Sequence, residues 1–127
     1  MITVLAFGTF DKFHEGHRFF LTEAKKHGDR LMVVVARDNN VAMIKGHSPK
    51  HSETERLAAV QAFTVVDEAR LGLEDFSRRL EVIDQVNPDI ICLGYDQAPN
   101  FKTPRSDIHV VRLPAFQPEK YKSSLID

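Results

Sequence analysis

Apolar residues along this chain fall into short unbroken blocks instead of strict alternation. Ile2–Phe7 (ITVLAF), Arg30–Ala36 (RLMVVVA) and Asp89–Gly94 (DIICLG) read as strands buried on both faces. Thr64–Ala69 (TVVDEA) and Ile108–Leu113 (IHVVRL) read as two further short strands. Between them the period lengthens. In His17–Gly28, Phe20 and Ala24 stand one helical turn apart and Gly28 is a stop signal. Ser52–Phe63 opens with Ser52 and carries Glu55 three residues on, the pattern of a capping box. Leu57 and Val60 should share the buried face of that helix and Gln61 should lie towards solvent. In Leu73–Val86, Phe76, Leu80, Ile83 and Val86 recur at helical spacing, and Asn87-Pro88 ends the run. Arg37–His51 is polar, with glycine and proline, and reads as a loop carrying a short turn. The tail from Pro114 reads as a connection followed by a last helical turn.

Buried strands alternating with helices predict a parallel sheet covered on both faces. The expected fold is α/β, a Rossmann-like doubly wound sheet of about five parallel strands with helices on both sides. No linker or repeat divides the sequence, so residues 1–127 are read as a single domain. Sheets of this kind bind ligands at the carboxyl ends of their strands, near the point where strand order reverses.

Composition narrows the function classes. The 17 basic and 18 acidic residues leave a net charge of -1, which argues against nucleic acid or an anionic membrane as a partner. Any anion site must be local. The one cysteine, Cys92, rules out an intrachain disulfide. The apolar blocks are too short to span a bilayer and no signal-like core is present, so a cytoplasmic soluble protein is expected.

Chemistry concentrates in the junction after the first strand, Phe7–His17 (FGTFDKFHEGH). On the predicted fold this stretch lies at the carboxyl edge of the sheet and runs into a helix N-terminus, where unpaired N–H groups attract phosphate. Gly8 would let backbone approach a ligand, and Gly16 would let the first helical turn do the same. His14 and His17, three apart, would share one helix face and donate hydrogen bonds to phosphate oxygens. The spacing does not match the zinc-protease helix, and no third metal ligand is evident. The Walker phosphate loop and the dinucleotide glycine fingerprint are both absent.

GTFDKFHEGH resembles the G-T-F-D-x-x-H-x-G-H signature of the cytidylyltransferase-like nucleotidyltransferases. ARDNNV, IKGHSPKHSETER, VVDEARLG and PDIICLGYDQ follow in the order seen in the archaeal-type FAD synthases of that superfamily. The small glycerol-3-phosphate cytidylyltransferases share the same frame. The resemblance implies attack of a substrate phosphate on the α-phosphorus of a nucleoside triphosphate, with release of pyrophosphate. It implies that His14 and His17 hold triphosphate oxygens and that Thr9 and Phe10 give backbone contacts near the nucleotide. Asp11 would sit beside the acceptor or the metal. Lys45 would neutralise phosphate charge at the catalytic centre and on the acceptor. Arg56 would reach the triphosphate or the acceptor phosphate; its alternative is a surface arginine paired with Glu53. Gly94 and Asp96 would lie around base and ribose, and Ser123 and Ser124 would bind phosphate at a last helix start. The cytidylyltransferase branch usually continues after Leu-Pro with Arg-Thr and Gly-Ile-Ser; here Ala115 and Phe116 follow, and no glycine precedes Ser123.

The expected substrates are therefore ATP, or CTP, and a phosphorylated small-molecule acceptor, with FMN favoured. Glycerol-3-phosphate or phosphoethanolamine is the alternative acceptor, and a non-catalytic nucleotide-binding regulator the alternative of another class. Phe13, Phe101, Phe116 and Tyr121 are candidates to wall a flat flavin ring. Mg²⁺ is expected to arrive with the triphosphate, without a dedicated carboxylate cage. Related enzymes are often homodimers, so a second copy of the chain is a candidate partner.

Overall fold

The computed structural model describes residues 1–114 apart from 96, 98–100, 102 and 104. The elements run β1 (Thr3–Gly8), α1 (Glu15–Lys25), β2 (Arg30–Val35), α2 (Asp38–Lys45), α3 (Glu53–Gln61), β3 (Glu68–Leu71), a 3₁₀ stretch (Phe76–Glu81), α4 (Val82–Val86), β4 (Ile90–Leu93) and β5 (His109–Arg112). All strand pairings are parallel, in the order β3-β2-β1-β4-β5. Order reverses between β1 and β4, which places the ligand crevice at their carboxyl ends.

The period of two along each strand explains the two cores. Val4, Ala6, Leu31, Val33, Val35 and Cys92 face one side, where Leu21 and Ala24 of α1 and Val60 of α3 close over them. Leu5, Met32, Val34, Ile91 and Leu93 face the other, covered by Val82 and Ile83 of α4. Cys92 is buried, and desolvation pushes its thiol up to about 11. Among the described residues no helix is long and apolar enough to cross a membrane.

The α3 capping box forms as its local spacing predicts: Glu55 N donates to Ser52 Oγ at 3.2 Å and Ser52 N to Glu55 Oε1 at 3.0 Å. Gln61 is exposed, as expected. Three expectations are corrected. First, Arg37–His51 is not simply a loop, because α2 occupies Asp38–Lys45 and ends at Gly46 in the left-handed region, φ 78°. Its support is distant in sequence: Glu53 Oε1 accepts from Asp38 N at 2.9 Å, and Asn40 Nδ2 donates to Leu73 O at 2.8 Å. Second, β3 begins at Glu68, not Thr64. Val65 and Val66 fill the first core from a turn in which Val66 N donates to Phe63 O at 3.0 Å. Third, the expected long helix over 73–86 is split. Asp75 caps the 3₁₀ stretch through Ser77 N at 3.0 Å, and its tighter winding leaves Leu80 38% exposed while Ile83 is fully buried. The expected tail helix, with Phe116, Tyr121, Ser123 and Ser124, lies outside the described residues, as does Asp96.

Candidate active site

The segment from Gly8 to His14 turns sharply, and two of its residues carry positive φ without being glycine: Phe10 at 55° and Lys12 at 52°. Each such residue costs about 1–2 kcal/mol, so the surroundings must hold them there. Phe10 is held by burial, at 3% exposure. Its ring lies so close to Gly8 that a Cβ on Gly8 would stand 2.6 Å from two ring carbons. Gly8 therefore makes room for Phe10 as well as shaping the loop.

Arg56 holds the loop from beneath. It is 1% exposed, and its three nitrogens all donate to protein acceptors: Nε to His51 O at 3.1 Å, Nη1 to Thr9 O at 2.8 Å and Nη2 to Asp38 Oδ1 at 2.7 Å. The alternative reading, a surface pairing with Glu53, is not formed; Glu53 pairs instead with Arg37 at 3.1 Å and caps α2. A buried guanidinium bonded this way ties the first loop to α2 and to the segment before α3. Asp11 makes a second tie, accepting from Lys50 N at 2.7 Å and His51 N at 2.9 Å. Desolvation pushes its carboxyl upward, but those two backbone donors and the charges of His51 and Arg56 hold it below the usual carboxylate range.

His14 and His17 open α1 as a reciprocal cap. His14 is the N-cap residue, and its Nδ1 accepts from Gly16 N at 3.1 Å; His17 Nδ1 accepts from His14 N at 3.3 Å. The rings stack with centroids 3.8 Å apart and 20° between planes. His17 also stacks on Phe13 at 5.6 Å and meets Phe10 edge-on at 5.4 Å. Because each Nδ1 receives a backbone N–H, each neutral ring carries its proton on Nε2. Burial first, then the charges of His14, Lys45 and Arg18, depress His17 to about 4. Burial and Arg18 lower His14 as well. At neutral pH the pair thus presents two uncharged rings, each with an Nε2–H donor, at a helix N-terminus.

Lys45 is the exposed last residue of α2, and its charge is felt at His17. This brings together the first loop, both histidines and Lys45. A cleft of about 460 Å³ opens beside the loop, lined by Lys12, Phe13, His51, Glu55 and Arg56 among others. Phe101 does not join them; it packs on the second core.

The crevice between β1 and β4 contains a residue that sequence reasoning missed. Their last paired residues are Ala6 and Cys92, beyond which the strands part. Gln97 spans the gap, its Oε1 accepting from Gly94 N at 3.0 Å and its Nε2 donating to Phe7 O at 3.0 Å. Arg112 from β5 secures the turn, donating to Gly94 O at 2.8 Å and Gln97 O at 2.5 Å. Nothing in the spacing of a polar LGYDQ turn announces that bridge.

Comparison with known proteins identifies the family. The cytidylyltransferase-like family model matches residues 5–126. A FAD synthase of Methanosarcina barkeri is 45% identical over 91% of this chain and 80% of its own length. One from Methanococcoides burtonii is 51% identical over 76% of this chain and 65% of its own, and one from Thermococcus sibiricus 39% identical over 98% and 89%. A solved structure described as a lipopolysaccharide core biosynthesis protein, from Thermoplasma volcanium, superposes with a TM-score of 0.80 at 41% identity. It is matched over 91% of this chain and 98% of its own.

Proposed function

Because this chain belongs to the cytidylyltransferase-like family, we propose that it joins AMP from ATP to the phosphate of FMN, giving FAD and pyrophosphate. It is a nucleotidyltransferase, and the FAD synthase relatives favour adenylyl transfer over cytidylyl transfer. The observation that carries the mechanism is the paired imidazoles, with Nδ1 used by backbone and Nε2–H left as donor.

A phosphate monoester is already ionised at neutral pH, so its attack on the α-phosphorus needs no strong base. Catalysis then rests on alignment and on stabilising charge as the pyrophosphate leaves. His14 and His17 donate to triphosphate oxygens, their Nε2–H tautomers fixed by the backbone N–H groups that bond to each Nδ1. Lys45 adds positive charge from α2. Thr9 and Phe10 present backbone along the nucleotide, with Gly8 permitting the close turn. Arg56 acts through Thr9 and His51, and Asp11 by holding the Lys50–His51 segment beside the acceptor. Gly94 lies at the base end of the crevice; Asp96, Ser123 and Ser124 keep the ribose and phosphate roles that the resemblance gives them.

Among the described residues no cluster of three carboxylate, histidine or cysteine side chains forms a metal cage. Mg²⁺ would be carried chiefly by the triphosphate itself, where the ion would offset charge on the leaving group.

The test is a substrate matrix. Purified protein with Mg²⁺ is offered ATP or CTP against FMN, glycerol-3-phosphate or phosphoethanolamine, and pyrophosphate and flavin products are followed. FAD formed from ATP and FMN is the expected result. Turnover only with CTP and a small phosphoalcohol would reject the reading.

A further inference from the structure

The Gln97 carboxamide occupies a donor and an acceptor that belong to two different strands. Gly94 N–H at the end of β4 and Phe7 C=O at the end of β1 both point at one planar group, which offers oxygen to the first and N–H to the second. The opposite amide orientation would set donor against donor, so the pattern is fixed. A planar group with an acceptor and an N–H donor in a 1,3 relationship is also the edge of adenine, at N1 and the 6-amino group, and of cytosine, at N3 and the 4-amino group. Guanine and uracil present the reverse order.

We propose that Gln97 is a stand-in for the nucleobase: it holds the Phe7–Gly94 pair in the free protein and is displaced by the amino-bearing edge of the incoming base. The proposal rests on the nucleotide-binding reading above and adds base selection to it. Position supports it. The pair sits at the carboxyl ends of β1 and β4, where strand order reverses. The first loop starts from the same end of β1 and leads to His14, so one nucleotide can lay its base at the gap and its phosphates at the histidines. Anchoring supports it too. Arg112 holds the turn by main-chain carbonyls of Gly94 and Gln97, so the side chain can swing away while the turn stays in place. Tyr95, in the same turn, is 60% exposed.

An amino-purine satisfies both backbone groups after displacement. Inosine, with its edge reversed, sets donor against donor, and purine riboside, lacking the amino group, leaves Phe7 C=O unpaired. One lost partner in such a site is worth on the order of ten- to hundredfold in affinity.

The experiment is calorimetric binding of nucleoside triphosphates to the full chain with Mg²⁺ and without FMN, paired with side-chain amide NMR. ATP and 7-deaza-ATP should bind alike, and inosine and purine riboside triphosphates on the order of ten- to hundredfold more weakly. The Gln97 side-chain NH₂ signals, assigned by their loss in Gln97→Glu, should be protected from exchange in the free protein and become freely exchanging on adding ATP. Gln97→Ala should bind ATP as tightly as the wild type or more tightly, since nothing then has to leave. Equal binding of inosine triphosphate, or Gln97 amide signals unchanged by bound ATP, would overturn the proposal. Base selection without FAD formation would reject FMN as acceptor and leave this inference standing, whereas absence of all nucleotide binding would reject both.

Discussion

A histidine that serves through its Nε2–H must have its Nδ1 occupied as an acceptor and must be kept from becoming charged. The first loop does the first with backbone, since each Nδ1 of the pair is filled by a main-chain N–H, and the second with burial, which keeps His17 unprotonated down to about 4. On the proposed mechanism, replacing His17 by alanine removes a donor to developing charge. Steady-state turnover should drop by roughly two to three orders of magnitude, while circular dichroism stays native. A variant turning over near the wild-type rate would reject the assigned role. The same residue logic makes Gly8→Ala costly, since its Cβ would press on the Phe10 ring at 2.6 Å. A loss of about 1–3 kcal/mol in unfolding free energy is expected, measurable by urea titration.

Elements divide by whether their determinants lie close in sequence. The α3 cap is written within four residues, Ser52 to Glu55, and it forms as read. The first loop was legible for the same reason, since Gly8, His14 and His17 lie in one continuous motif. By contrast, α2 takes its cap from Glu53, fifteen residues away, and a side-chain anchor at Leu73, so its polar sequence gave no helical sign. Arg56 reads as a surface helix arginine until the fold brings Thr9 O and Asp38 to it, and Gln97 reads as a loop residue until two strand ends part around it. Uncapping α2 with Glu53→Ala should destabilise the protein by about 1 kcal/mol. It should raise the ATP KM more than it lowers kcat, because Lys45 rides on that helix. A kcat loss with unchanged KM would refute the coupling.

For the molecule as a whole, the histidine pair implies a defined acid response. His17 is depressed to about 4 when folded against an ordinary value of 6.5, so between these values the unfolded chain binds the extra proton. Its contribution to stability is complete above pH 6.5 and is lost as pH falls towards 4. Asp11 and Asp67, both held low, add losses of the same sign further into acid. Thermal melts should therefore show the melting temperature falling between pH 6.5 and 4 in the wild type, and falling less over that window in His17→Gln. Parallel curves would show that the ring is not strained against protonation. Arg56 carries one further consequence. The acceptors it gathers belong to residues 9, 38 and 51, all made before it on the ribosome. The nascent chain therefore carries the first loop without its keystone until the third helix has left the exit tunnel, so this loop, though among the first parts synthesised, cannot be locked into its final shape before α3 follows it.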